Sequence, residues 1–543
     1  MILSDIVRKL LASRGVADSE MEDFLNPSLV GLACPEELPG IVDAAKVILD
    51  SVGSHRKVVI FGDYDCDGVC ATAIVSKTLG ALGGEVTEFI PDRRSEGYGM
   101  NAKSVERMLR ENPDVHLVVT VDNGINSVAE VASLMARGVH VVVTDHHLPG
   151  DEIPAADALV DPKVSAPKRL SDLCGAGVAF LLANQLVSDA KRRGMYSGGS
   201  IGAPLIVLAG MATVTDLMPL LGQNRILVAE ALRRFAVSAP MGLKELHSRA
   251  ARNGYSGLTS RDFGFMLGPR INAAGRIASG MEALELVMSD DREITRELAR
   301  IIDGYNLERK SIEQRMTDAA MEQIVKGAAA QVIHLPDGNP GVAGIVASRV
   351  MERLGGVTPV CVIAAGHGSA RSPEGLNIRD AFVACSDLLE SFGGHAAAGG
   401  FVVKDGKIDE FRNRLAEYCL GCNDRLNGRC KERVDLWLDA DDVTIGLADE
   451  LQMLEPYGEG NPEPVFGLKG VRLADVRPMG QDGRHLSFVL RKSGLRGVWW
   501  QRGDLVEKLR AASASELDMM FTLAVSEYGE RHVELRLVEI EGL

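Results

Sequence analysis

From about residue 57 onward, short uninterrupted apolar runs alternate with stretches of helical period, a pattern that predicts a parallel α/β sheet. The run 58–61 is wholly apolar and reads as a buried strand. A helix-like stretch follows over 69–82, then a strand over 86–90. Asn101 is placed to cap a helix whose apolar face carries Val105, Met108 and Leu109. Next come a strand over 116–121, a helix over 127–137 closed by Gly138, and a strand over 139–144. A short strand over 158–160 leads into Asp161 and Pro162.

Other regions carry other periods. In residues 1–15, Ile2, Ile6 and Leu10 are spaced as on an amphipathic helix, and Asp5 interrupts any signal-peptide-like apolar stretch. Beyond about residue 170 the chain turns helical and rich in Ala and Leu. The charged stretch 291–325 has few helix breakers and reads as one helix joining two lobes. A second α/β unit runs from about 331 to 422. From about Val434 the pattern is that of strands: Val533, Leu535 and Leu537 alternate with Glu534, Arg536 and Val538. Several such strands with Gly-rich turns predict a small barrel. The expected segments are therefore 1–40, 41–285, 286–330, 331–430 and 431–543.

Composition narrows the classes of function. A chain of 543 residues exceeds what one core supports, and 46% hydrophobic with 25% charged residues is ordinary for a globular protein. No apolar run approaches the roughly 20 residues that span a bilayer, so a cytoplasmic protein without a membrane partner is expected. Nine cysteines are scattered; Cys419, Cys422 and Cys430 cluster, but no fourth ligand stands nearby, so reduced thiols are expected rather than a zinc site. A net charge of −16 argues against broad binding to nucleic acid and requires any such path to be a local basic groove.

The chemistry sits where strands end. In an open parallel sheet, ligands bind beyond the carboxyl ends of the strands. The first strand runs into Asp63, Asp65 and Asp67; the next apolar strand ends at Asp122; the following one ends at Asp145, His146 and His147. So much negative charge at one edge is costly unless cations neutralise it. Carboxylates with a little imidazole suit Mn2+ or Mg2+, and two such ions about 3.5–4 Å apart are a standard device for cleaving phosphate esters. An EF-hand also opens Asp-x-Asp-x-Asp-Gly, but its twelfth position would be Ile74 where Glu is needed, and a strand precedes it. Any one acid after a strand can be a plain helix cap; three in consecutive turns form a pattern.

GDYDCDG, VDNG and TDHH, in this order, resemble the first three motifs of the DHH phosphoesterase superfamily, and Asp216 in ATVTDLMPL matches the fourth. LLASRGV, FLNPSL, IPDRRSEGYGM, GPRINAAGR, GGHAAAGG and YGEGNPEPVF extend the likeness to bacterial RecJ exonucleases over nearly the whole chain. The resemblance implies a DHH domain, a DHH-associated domain and a C-terminal OB-fold. It implies Asp65, Asp67, Asp122, His146 and Asp216 as ligands of two ions, with Asp122 bridging. Asp63 and Asp145 would join the same centre, as ligands or hydrogen-bonded to ligands, and His147 would sit beside the scissile phosphate, either orienting it or assisting proton transfer.

The resemblance also assigns Arg93, Arg276, Ser369 and Arg371 to a terminal-phosphate pocket, a role that suits bidentate donors; an Arg in a Gly-rich segment is as often a structural bridge. Gly394 and His395 lie in a segment where backbone can approach a nucleotide closely or make a tight buried turn. In the barrel, Trp499 and Trp500 are neighbours on an alternating strand, so at most one can stack on a base. The implied activity is 5′→3′ hydrolysis of 5′-phosphorylated single-stranded DNA in repair and recombination, with repair or replication proteins as further partners. Two alternatives are a phosphodiesterase of short RNA or cyclic dinucleotides, and a replication scaffold without catalysis; the intact ligand set speaks against the second.

Overall fold

Val58, Val59, Ile60 and Phe61 are all fully buried, as a strand covered on both faces must be. A computed structural model describes residues 3–93, 95–97, 99–251, 257–422, 434–526 and 531–541. The first sheet contains β1 (Val58–Phe61), β2 (Val86–Phe89), β3 (Leu117–Val121), β4 (His140–Thr144) and β5 (Ala158–Val160). All neighbours are parallel and the order is β2-β1-β3-β4-β5. Alternate residues feed two cores: Val58 and Ile60 pack with the helices Ile41–Gly53, Cys66–Ala81 and Gly175–Arg192, whereas Val59 and Phe61 pack with Ala102–Glu111 and Val128–Ala136. The strand order reverses between β1 and β3, which opens a crevice at their carboxyl ends.

Local signals set most element ends. Asn101 caps its helix, accepting from the amides of Lys103 and Ser104. The helix after β1 begins at Cys66, ahead of the apolar period at 69, because Asp65 accepts from the amides of Asp67 (3.0 Å) and Gly68 (3.1 Å) and so starts the helix inside the acidic motif. The described residues between Gly175 and Met288 are mostly helical. The charged stretch forms the single helix Arg292–Glu322, capped by Asp291, and it packs against helices of both flanking lobes.

The second sheet joins β6 (Gln331–Leu335), β7 (Val360–Ala364), β8 (His367–Arg371), β9 (Leu389–Gly394) and β10 (Ala398–Val403) in the order β6-β7-β8-β10-β9; only β6 and β7 are parallel. The third sheet orders seven strands as β11-β12-β16-β17-β15-β14-β13: β11 (Leu436–Trp437), β12 (Phe466–Val471), β13 (Leu473–Met479), β14 (His485–Leu490), β15 (Arg496–Trp499), β16 (Leu517–Ser526) and β17 (His532–Ile540). Val533, Leu535 and Leu537 point into its core as their alternation predicts.

The N-terminal segment divides between two bodies. Helix Asp5–Ser13 buries Val7, Leu10 and Leu11 in the core of the third sheet, while Ile6 is only half-buried and Ile2 lies outside the described residues. Leu38 and Ile41 belong instead to the first core. Arg225 fixes this arrangement: it is fully buried, lies over the Phe24 ring, and donates to the carbonyls of Phe24 (2.7 Å) and Glu455 (2.9 Å). Cys419 is buried and Cys422 half-buried, and Cys430 falls outside the described residues. Among the described residues no helix is long and apolar enough to cross a membrane.

Candidate metal centre and phosphate pocket

Asp63, Asp65 and Asp67 follow β1, Asp122 follows β3, and Asp145, His146 and His147 follow β4, so the strand order alone gathers them at one edge. Asp216 ends the helix Gly202–Thr215 and reaches the same place. The Nε2 atom of His146 lies 3.1 Å from Asp122 and 3.6 Å from both Asp67 and Asp216. Three overlapping groups have ligand atoms within 4.8 Å of one another: Asp63, Asp65 and Asp122; Asp67, His146 and Asp216; and Asp122, His146 and His147. Asp122 belongs to two of them, as a bridging carboxylate would.

Hydrogen bonds sort the acids. Asp67 accepts from the amides of Gly175 (2.6 Å) and Ala176 (2.8 Å), which start a helix about a hundred residues downstream. Gly175 is required there, since a Cβ would meet that of Asp122 at 2.6 Å. Asp145 is saturated: one oxygen accepts from Ile125 (2.9 Å), the other from His146 (2.7 Å), His147 (3.2 Å) and Nδ1 of His147 (2.7 Å). It is therefore built to orient His147. By contrast, one oxygen each of Asp63, Asp122 and Asp216 is buried and accepts no hydrogen bond; those of Asp122 and Asp216 face the Nε2 atom of His146, and that of Asp63 faces none. Such oxygens are expensive unless a cation meets them, and hard oxygen donors with one imidazole fit Mn2+ or Mg2+.

Electrostatics agree with that account. Burial, reinforced by Asp65, pushes the carboxyl of Asp63 up to about 8. Burial, with Asp67 and Asp65, pushes Asp216 up to about 9, and Asp122 is held well above the carboxylate range by burial and its acidic neighbours. Burial works against the charged form of His147, but the Asp145 carboxylate outweighs it and raises the imidazole to about 9. His146 is lowered by burial. Crowded carboxylates hold protons where positive charge does not balance them.

Across the crevice, three guanidiniums converge. Arg276 donates to the carbonyl of Gly341 (2.9 Å) in the first turn of helix Pro340–Arg353, and a Cβ on Gly344, in its second turn, would lie 3.0 Å from Arg371. Arg93 lies over the Tyr64 ring and, after burial, lowers the basicity of both. Among the described residues none of the three pairs with a carboxylate within salt-bridge distance. Guanidiniums gathered near a helix N-terminus and away from carboxylates are a set that an anion could join. Ser369 lies on β8 opposite Gly400. Gly394 has φ of +128°, and a Cβ there would strike the Ala398 carbonyl at 2.4 Å, so the turn demands glycine. His395 is exposed at that turn, near enough for the charge of His147 to act on it.

Three known domains match the chain: the DHH family N-terminal domain over residues 57–201, the DHHA1 domain over 326–420 and the RecJ OB domain over 434–539. The single-stranded-DNA-specific exonuclease RecJ of Dickeya dadantii (strain 3937) is 35% identical over 98% of this chain and 95% of its own length. The chain belongs to the RecJ family. Crystal structures of RecJ from Thermus thermophilus share its fold: the complex with Mn2+ has a TM-score of 0.84 at 32% identity, over 100% of this chain and 79% of that one. The complex with Mg2+ gives 0.77 at 31%, over 99% and 77%. A parallel-sheet DHH domain, a DHH-associated domain and an OB domain are thus the RecJ architecture seen in this chain. Two residues of the site, Asp161 and Asn272, carry no role in the reading of the motifs. Asp161 ends β5, the next strand in the sheet; one oxygen is buried and unpartnered, and burial raises its carboxyl to about 7. Its position at a strand end is the same signal that marks Asp122. Asn272 accepts from the amide of Cys66 (2.7 Å) and braces the acidic loop, a contact that no local pattern announces.

Proposed function

We propose that this chain is a metal-dependent exonuclease that shortens single-stranded DNA from a phosphorylated 5′ end. One observation carries the reading: buried carboxylate oxygens that accept no hydrogen bond, crowded on a single imidazole, face a set of guanidiniums without carboxylates across one crevice. The first set suits cations and the second a terminal phosphate. Asp65, Asp67, Asp122, His146 and Asp216, joined by the orphaned oxygen of Asp63, would hold the ions. When bound, divalent cations neutralise these acids and polarise a phosphodiester toward attack by water. Asp145 fixes the ring of His147, which as a cation holds a phosphate oxygen by a charge-assisted hydrogen bond. Arg93, Arg276 and Arg371, with Ser369, grip the 5′-phosphate; Gly394 lets the backbone come close to the first nucleotide, with His395 beside it. The free thiols of the described cysteines fit a reducing compartment such as the cytoplasm.

The test is degradation of 5′-labelled and 3′-labelled single strands, duplex DNA and RNA, with Mn2+ and with chelator. Metal-dependent release of 5′-terminal nucleotides from single-stranded DNA is expected. Release from the 3′ end, or equal attack on duplex or RNA, would overturn the reading.

A further inference from the structure

The helical run over residues 260–277 leads from the phosphate pocket to the third domain. Arg276, at one end, lies in that pocket. Asn272 meets the loop of Asp65 and Asp67 through the Cys66 amide. One turn earlier, Gly268 packs so tightly on Thr215, beside Asp216, that a Cβ would lie 2.1 Å from its methyl group. At the far end, the hydroxyl of Ser260 donates to the carbonyl of Tyr457 (2.5 Å) in the segment that opens the third domain. One helical edge thus passes the pocket, the acids and the C-terminal domain in turn.

Its middle, Phe263–Leu267, is a π turn, a feature retained mainly where its altered geometry is used. Phe263 and Leu267 are fully buried, but Phe265 between them is 78% exposed. The guanidinium of Arg261 lies 5.8 Å from its ring centre. Leu217, directly after Asp216, is also exposed and holds a left-handed φ of +57° that a branched side chain rarely adopts. A large ring turned to solvent beside a cation, on the helical run that passes the acids, serves neither the core nor the ions. An aromatic face with a guanidinium is what an unpaired base and its backbone phosphate require.

We infer that Phe265 and Arg261 form a stacking step for a base of the single strand, between the metal centre and the C-terminal domain. The inference rests on the single-strand reading above and adds to it a residue that no motif assigns. Phe265 and Arg276 are eleven positions apart, about 16 Å along the helix. A strand advances at least about 3.4 Å per nucleotide, so the step lies within about five nucleotides of the bound 5′ end. Shorter substrates do not reach it.

The experiment compares kcat/KM with Mn2+ for 5′-phosphorylated dT20 and dT2 in the full chain, its Phe265→Ala and Phe265→Trp variants, and Val237→Ala. Val237 is an exposed apolar residue on another helix and serves as control. Losing one base–aromatic stack should lower the dT20-to-dT2 ratio of Phe265→Ala about 5- to 150-fold. Phe265→Trp should restore the ratio, and Val237→Ala should keep it. A wild-type ratio in Phe265→Ala overturns the inference, as does an equal fall in Val237→Ala. If the unaltered chain degrades no single strand, the functional reading fails first and the inference fails with it.

Discussion

Replacing Asp122 with Asn is the sharpest perturbation of the acidic centre, because it removes charge and almost nothing else. The two side chains are isosteric, and the φ of +60° at Asp122 suits Asn at least as well. In the metal-free chain the substitution relieves repulsion from Asp67, Asp65, Asp63 and Asp216. Neutral replacement of poorly compensated buried charge stabilises proteins by about 1–4 kcal/mol. For a lobe of this size each kcal/mol moves Tm by about 2–4 °C. The gain should grow with pH. A carboxyl whose folded pKa is raised above its unfolded value favours folding while protonated, so metal-free stability is fully present below about pH 4 and fades as pH rises through the folded values, about 8 for Asp63 and about 9 for Asp216. With Mn2+ the order inverts: a ligand at a hundredfold excess over Kd stabilises the unaltered chain by about 2.7 kcal/mol, which the variant forfeits. Thermal melts at pH 6 and pH 9, with chelator and with Mn2+, should therefore show the variant melting higher without metal and lower with it. Exonuclease activity should fall at least about 100-fold, since even groups behind the ligands contribute 10- to 100-fold. A variant that melts lower than the parent in chelator, or keeps the full Mn2+ shift, would falsify the assignment of Asp122.

Three further outcomes follow from the same geometry. Mn2+ binding at pH 7 should expel protons from Asp63 and Asp216 and tighten as pH rises toward 9; calorimetry in buffers of different ionisation enthalpy reads this, and pH-independent affinity contradicts it. Arg276→Ala should erode the preference for 5′-phosphate over 5′-hydroxyl ends by about 10- to 150-fold in kcat/KM, the equivalent of one charged hydrogen-bonding group at about 1.5–3 kcal/mol; an unaltered ratio would place the phosphate elsewhere. Trp499 is buried and Trp500 is 49% exposed beside His485, so Trp499→Ala should cost about 3–5 kcal/mol of stability, whereas Trp500→Ala should leave Tm in place and weaken single-strand binding, measured by anisotropy, about 5- to 150-fold.

The amino-acid sequence by itself determined the strands, several caps and the acids at their ends. A fully apolar run can only be a buried strand or helix segment, and an Asp or Asn before a helical period has a local reason to cap it, as Asn101 and Asp291 do. Because parallel strands present their carboxyl ends to one side, Asp63, Asp122 and Asp145 were destined for one edge once the strands were recognised. Trp499 ends β15 with its ring buried, whereas Trp500 is half-exposed in the turn beyond the strand, so only one of the pair faces solvent, as read, but the turn rather than the pleat directs it. Tertiary structure alone decided what these groups meet. Asp67 is held by Gly175 and Ala176, and Asp145 is spent on His147 and nearby amides rather than left open to a cation. Arg276 finds the helix that starts at Pro340. The first helix completes the core of the last domain through Val7, Leu10 and Leu11. Apart from the local contacts of Asp145 with His146 and His147, such pairings join residues about twenty to several hundred positions apart, and a hydrophobic period records only that a face is buried, never against what.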